Sequence, residues 1–517
     1  MNFLASKRAL FAGILFFGLL AMTARSATDP DLWWHLRTGQ WIVEHQRVPH
    51  VDPFSFTRAG APWISHEWLS EIILYELWVH GGPGAVIIFS SVVLSAGFLL
   101  LYPRCPGTPH WAAAFTALGA AASASSWGAR PQIFTFTLAS LLLWLLFRSE
   151  ERPRLLFWVP PLFLLWLNLH AGFALGPALL LLYAAGVMCE SAAGTTPWSE
   201  SRPVVLRVVA VTLVCLGVVP LNPSGTELYR YPLDTLRSAS MRTFIVEWLS
   251  PNFHQWIYLP YLLVIVLLLG ALAYSGSRMK GRILLPLLFT ALAALDAVRH
   301  IPIFVLLAIP VIAGALPVPS SRSLPSSPKL DSKKRAFNVA TVMLLAVFAV
   351  LRWIELAHDQ PAREAALFPE KAVRFLEATE EPGRLFAYYD WGGYVIWRLD
   401  SRYRVFADGR ADLYSANLGR EDQGPDDLLR QCVETVLQLR KGWEGVLDEW
   451  QVETILVPPS SALAQAMFLD QRWTTAYRDL QAAVFVRASR SPAGTINSKN
   501  ADKEKKMYTR ANANLRN

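Results

Sequence analysis

Charge and cysteine are what this chain lacks. Asp, Glu, Lys and Arg make up only 17% of its 517 residues, fewer than the roughly one quarter usual in soluble domains. With 53% hydrophobic residues and a mean hydropathy of +0.30, a soluble globular enzyme is excluded. Intrinsic disorder and coiled coil are excluded too, because 20 Trp, 15 Tyr, 27 Phe and 34 Pro suit neither a polar, unfolded chain nor long heptads. The four cysteines, Cys105, Cys189, Cys215 and Cys432, show no CxxC spacing, which leaves zinc ribbons and disulfide scaffolds without support. No glycine-rich loop joins a strand to a helix, which argues against a nucleotide-sugar donor. The net charge of +8 lacks the aromatic-interleaved basic stripe of a nucleic-acid binder, so no nucleic acid is expected.

What the chain has is long apolar runs. They fall at about 9–24, 84–102, 111–127, 131–147, 155–169, 172–189, 203–221, 256–275, 282–297, 301–317 and 336–353, giving about eleven transmembrane helices. With the N-terminus in the cytoplasm, Lys7, Arg8, Arg104 and the basic stretches 148–154, 202–207, 278–282 and 322–335 all fall on the inner side, as the positive-inside rule requires. The expectation is a multi-pass protein of the plasma (inner) membrane. Its transmembrane domain covers 1–354, with large outer loops at 25–83 and 222–255. The first run precedes Ala24-Arg-Ser-Ala27, so a cleaved signal peptide stands as an alternative to a retained helix. Beyond it, 355–489 reads as an extracytoplasmic α/β domain, with strands at 384–389, 393–398, 403–407 and 454–457 and a hairpin across 473–488. Cys432 is alone in that domain, so no disulfide is expected there. The segment 490–517 reads as a disordered tail.

The unusual polar residues collect at the outer ends of the runs. Asp29-Pro-Asp31-Leu-Trp-Trp-His35-Leu-Arg37 opens an interfacial helix on which Asp31 and His35, four apart, share a face. Asp31 is a candidate general base or metal ligand, while Asp29 or Asp31 would equally serve as an N-cap. His66 and Glu67 are candidate metal ligands or an acid–base pair, in a stretch that also reads as a second interfacial helix capped by Ser65. Arg130, His170, Asn222, Glu247, Arg299 and His300 lie on other outer loops, and ionisable groups at membrane depth default to function. Arg130 and Arg299 suit phosphate oxygens, with snorkelling to headgroups as the bland alternative. In the exported domain Tyr389-Asp390-Trp391-Gly392-Gly393 and Asp408-Gly409-Arg410 mark places where backbone approaches something closely or turns.

These motifs resemble the GT-C superfamily of membrane glycosyltransferases, and distantly the oligosaccharyltransferase catalytic subunits. Asp31-Leu-Trp-Trp-His-Leu-Arg37 has the Asp-to-Arg spacing of their first outer loop, and Tyr388-Tyr389-Asp390-Trp391-Gly392 followed by Asp408-Gly409 has the order of their exported motif. The resemblance implies a GT-C-like fold and transfer of a sugar from a polyprenyl-phosphate donor to a glycan, lipid or protein acceptor outside the cytoplasm. Asp31, Asp29 and Glu67 would be the catalytic positions. His35, Arg37, His66, Arg130, His170, Asn222, Glu247, Arg299, His300, Tyr389, Asp390, Trp391, Gly392, Gly393, Asp408 and Arg410 would bind substrate. It also implies a divalent cation, Mg or Mn, at Asp31. Where the family places a second acidic motif this chain reads Ala129-Arg130-Pro131-Gln132, so a metal would keep a single firm carboxylate. A metal-independent variant, with Arg130 and Arg299 neutralising the leaving phosphate, is the alternative. Two other classes remain open: a non-catalytic subunit binding glycan or lipid-linked precursor, and a transporter.

Overall fold

The computed structural model describes residues 7–276, 279–315, 332–379, 383–399, 402–415 and 427–488. The expected tail at 490–517 and much of the basic stretch 322–335 lie outside the described residues.

Each apolar run read from the sequence lies on a helix. In chain order these are α1 (Lys7–Thr23), α2 (Pro30–His45), α3 (Trp68–Leu101), α4 (Pro109–Ala122), α5 (Gln132–Arg148), α6 (Val159–Leu169), α7 (Leu175–Ala192), α8 (Trp198–Gly217), α9 (Tyr231–Arg237), α10 (Ala239–Phe244), α11 (Leu259–Ser275), α12 (Gly281–Asp296), α13 (Ile301–Ala315) and α14 (Ser332–Leu367). Among the described residues, six helical stretches are long and apolar enough to cross a membrane: Trp68–Arg104, Ala171–Ala192, Trp198–Leu221, Trp256–Ser275, Val298–Ala315 and Lys333–Leu367. The other five runs form shorter helices, α1, α4, α5, α12 and the stretch Pro153–Leu169, below the roughly 20 residues that span a bilayer unaided. α13 is the most enclosed span, and its Ile301, Val305, Leu306, Ala308 and Ile309 are wholly buried.

α3 is two helices in one. Gly82 takes φ 61° and ψ −165° just before Pro83, a left-handed conformation that glycine adopts without the penalty a Cβ would bring. The break separates the amphipathic segment from Trp68, read as the second interfacial helix, from the apolar span that follows. Ser65 is not its cap: the N-cap position is Glu67, and Ser65 Oγ donates instead to Glu71 Oε2 at 3.0 Å.

The expected boundary at 354 falls inside α14, which runs to Leu367 and is followed by α15 (Glu370–Glu377). Beyond it, strands β1 (Arg384–Ala387), β2 (Arg404–Val405), β3 (Thr454–Val457), β4 (Trp473–Arg478) and β5 (Ala483–Arg487) form one sheet in the order β2-β1-β3-β5-β4. β1 is parallel to β2 and β3, while the expected hairpin β4–β5 joins antiparallel. The strand expected at 393–398 is instead a helix, α16 (Gly392–Leu399). Short, mostly apolar runs do not distinguish the two by periodicity, and tertiary fit decides. A Cβ on Gly393 would stand 3.0 Å from the Pro30 carbonyl oxygen, and one on Gly392 would stand 2.5 Å from that of Ala407. The paired glycines therefore seat the start of α16 against α2. The first outer loop is tied to the same sheet, with Phe56 N donating to the Val405 carbonyl at 3.1 Å.

Candidate active site

α2 begins where Asp29 caps it, its Oδ1 accepting the Asp31 amide at 3.1 Å with Pro30 at the first turn. Both readings of this stretch are therefore realised, Asp29 as cap and Asp31 as the displayed carboxylate. Asp31 opens into a cavity of about 750 Å³. Polar walls come from α2, the loop before α5, the 222–255 loop and the Tyr389–Asp412 region, while Leu94, Ile133, Phe136, Leu175, Phe289 and Ile303 supply an apolar side.

Two charge clusters organise the polar walls. In the first, the Arg130 guanidinium lies among three carboxylates, with Nε 3.3 Å from Asp29, one terminal nitrogen 3.0 Å from Asp31 and the other 2.5 Å from Glu247. Arg299 touches the far oxygen of Glu247 at 3.4 Å and lies over the Trp248 ring at 4.4 Å. Trp34 Nε1 donates to Asp31 at 3.2 Å. Burial and the charge of Asp29 push the Asp31 carboxyl up to about 7, against the pull of Arg130. Burial acts the same way on Glu247, but Arg130 and Arg299 outweigh it and hold that carboxyl below its ordinary value.

The second cluster surrounds Glu67. His66 Nε2 stands 2.8 Å from it, and the Nε2 atoms of His35 and His170 each stand 3.5 Å away. Ring protonation follows from the partners. His170 Nδ1 accepts the Gly172 amide at 3.0 Å, so its proton is on Nε2, facing Glu67. His66 Nδ1 faces the Ile64 carbonyl at 3.2 Å and Nε2 faces a carboxylate, so both nitrogens donate and the ring is cationic. Burial alone would lower the His66 pKa, but Glu67 raises it. Burial drives His35 down to about 3 and His170 to about 4, keeping both neutral. Glu67 is therefore an ionised carboxylate already held by donors: burial opposes its charge, and His66 and His170 overcome that opposition. Both His66 and Glu67 reach one point because they precede the helix instead of lying on it.

Of the residues singled out in the sequence, Asp29, Asp31, His35, His66, Glu67, Arg130, His170, Glu247, Arg299, His300, Tyr389 and Asp390 line the cavity. The others do not. Asp408 and Arg410 form a fully buried knot in which Arg410 pairs with Asp408 and with Asp52 of the first outer loop, each at 2.7 Å. They clamp the sheet-bearing segment to that loop and are not available to a substrate. Arg37 is buried, donating to Gln40 at 2.8 Å and lying over Phe54. Asn222 ties its loop to the end of α6 through the Leu167 carbonyl and Asn168, both at 3.1 Å. Trp391 Nε1 donates to the Leu367 carbonyl at 3.0 Å, while Gly392 and Gly393 act through close packing. Two cavity residues were not singled out: Tyr231, which stacks on His66 at 4.4 Å, and Asp412, which accepts the Tyr231 hydroxyl at 3.2 Å. Asp412 follows the Asp408-Gly409-Arg410 stretch closely enough to have been found. Nothing in the sequence marks Tyr231.

A divalent cation does not fit at Asp31. Among the described residues no group of three His, Cys, Asp or Glu side chains is arranged to hold a metal ion, and the place facing Asp31 is occupied by Arg130. A second cation there would meet like-charge repulsion at close range. Arg130 is likewise not a free phosphate clamp, since each of its nitrogens already faces a carboxylate.

No protein-family model and no curated protein matches the chain, but solved structures do. The archaeal oligosaccharyltransferase AglB from Archaeoglobus fulgidus, in complex with an inhibitory peptide and a dolichol-phosphate, aligns with a TM-score of 0.55 at 10% identity, over 94% of this chain and 75% of that one. ArnT from Cupriavidus metallidurans bound to undecaprenyl phosphate aligns with a TM-score of 0.46 at 13% identity, over 94% of this chain and 98% of that one. At such identities the likeness to AglB speaks for fold alone, and the fold of this chain is distantly GT-C-like.

Proposed function

We propose that the protein is a membrane glycosyltransferase that moves a sugar from a polyprenyl-phosphate donor to a glycan, lipid or protein acceptor on the extracytoplasmic face of the plasma (inner) membrane. In this reading the N-terminus is cytoplasmic and the sheet-bearing segment lies outside. The observation that carries it is Asp31, a carboxyl raised to about 7 in a cavity with one polar and one apolar side. A base titrating near neutrality is suited to taking a proton from an acceptor hydroxyl. The apolar side suits a prenyl chain, and dolichol-phosphate bound to AglB is a ligand of that chemistry.

The chemistry follows. Asp31 accepts the acceptor hydroxyl proton as that oxygen bonds to the anomeric carbon, and the bond from that carbon to the phosphate oxygen breaks. The electron pair leaves with polyprenyl phosphate. Arg299 is the cation best placed to stabilise the departing charge, because it holds Glu247 by one 3.4 Å contact. Arg130 holds Asp29, Asp31 and Glu247 in position, so no step passes through a metal. His66 presents an imidazolium beside Tyr231, a pair suited to sugar hydroxyls.

The test is release of polyprenyl phosphate from a labelled polyprenyl-phosphate sugar by the purified protein in lipid, with Asp31→Asn alongside. Loss of a general base is expected to slow release about 10²–10⁴-fold while membrane insertion stays intact. Full activity in the variant refutes the assignment of Asp31. Donor binding without release in the unmodified protein supports the non-catalytic binding subunit instead, a reading favoured by the engagement of Asp31 with Arg130 and Trp34. Counterflow of a solute in vesicles supports a transporter.

A further inference from the structure

We infer that Arg130 is a resident cation standing in a latent divalent-cation site: it does for Asp29, Asp31 and Glu247 what a metal ion would do, and its removal turns the three carboxylates into a metal site. The inference stands on geometry and holds whether or not the site transfers sugar.

The three carboxylates come from two separate stretches of chain, the start of α2 and the 246–248 turn, yet meet at one guanidinium brought by a third, the loop before α5. Each of its nitrogens takes a different carboxylate. This is convergence on a point, as in a coordination sphere, and differs from the two-pronged Arg–carboxylate fork. The backbone is built to permit it. A Cβ on Gly128 would stand 2.4 Å from the Asp29 oxygen, so only glycine leaves room for that carboxylate at Arg130.

Arg130 cannot be lost without consequence, because three carboxylates around one point cannot all remain ionised without a cation between them. Each carboxylate oxygen lies about 4 Å from the guanidinium carbon, given ordinary hydrogen-bond lengths. Oxygen ligands must come to about 2.0–2.6 Å of Mg or Ca, a closure of about 2 Å by each carboxylate. Glu247 has three side-chain torsions with which to close it, and solvent reaches the pocket to supply the remaining ligands. The unmodified protein therefore has its cation built in, and the absence of an acidic motif at 129–132 is the substitution of a covalently tethered charge for an exchangeable one. Arg130 acts through Asp31, so it is a positioning residue.

Mn²⁺ is the probe, followed by electron paramagnetic resonance on full-length protein in lipid nanodiscs. The unmodified protein is expected to show no Mn²⁺ binding that Asp31→Asn removes. Arg130→Ala is expected to bind Mn²⁺ about ten-fold or more tightly than the unmodified protein, given three unpaired carboxylates, and to lose that gain when Glu247→Gln is added. Arg130→Lys, which keeps a positive charge, is expected to gain nothing. Arg130→Gln, uncharged and close in size, serves if the alanine chain does not fold. Asp31-dependent Mn²⁺ binding by the unmodified protein overturns the inference, as does a folded Arg130→Ala or Arg130→Gln chain without any gain.

Discussion

Replacing Asp29 by asparagine removes a negative charge beside Asp31 while leaving a residue that still caps α2 well. Asp29 is, after burial, the largest influence raising the Asp31 carboxyl to about 7, so the variant isolates an electrostatic effect from a structural one. The two carboxylates bond the same guanidinium, which places them about 6 Å apart. At an effective dielectric near 20, two unit charges at that distance repel by about 3 kcal/mol, or about two pK units. Both side chains keep some contact with solvent, at 16% and 30% exposure, which screens the interaction and leaves about one unit. The sign is fixed: a base works when ionised, and a lower pKa ionises it at lower pH. The acid limb of the release rate, which rises through about pH 7 in the unmodified protein, is expected to move about one unit toward lower pH in Asp29→Asn. The assay is donor turnover at subsaturating donor between about pH 5 and 9 in lipid, where the free protein's titration is read. A limb that stays in place, or moves to higher pH, refutes Asp31 as the titrating base.

Three further changes separate the parts of the site. Gly409→Ala would bring a Cβ to 2.3 Å from the Asp31 carboxylate and 2.8 Å from Trp34 Nε1; turnover is expected to fall about 10²-fold through displacement of the base, with the protein remaining folded by size-exclusion chromatography. Arg299→Ala is expected to weaken donor binding about 10–100-fold, the worth of one charged hydrogen bond to phosphate, measured by titration of labelled donor; unchanged affinity removes Arg299 from the phosphate site. Asp52→Asn takes one of two carboxylates from the fully buried Arg410 and is expected to destabilise the protein by about 3 kcal/mol, seen as a lower thermal midpoint in detergent, without moving the pH limb.

The sequence by itself determined the helices, because bilayer-length apolar runs admit only backbone that satisfies its own hydrogen bonds. It also brought out Asp31, Arg130, Glu247 and the His–Glu pair, since charges that are expensive near a membrane announce themselves by position. Tertiary structure alone decided what those charges do. Arg130 read as a phosphate clamp, but whether a guanidinium meets phosphate or carboxylate depends on which distant loop arrives beside it, and Glu247 is 117 residues away. Asp408 and Arg410 read as a substrate loop, yet Asp52, 358 residues from Arg410, buries them as a clamp. The stretch from Gly392 read as a loop and then a strand, and became a helix because the two glycines pack against α2 and Ala407. Local pattern specifies which residues must leave water or must stay charged; which partner satisfies each of them is a contact between segments far apart in the chain, and only the fold supplies it.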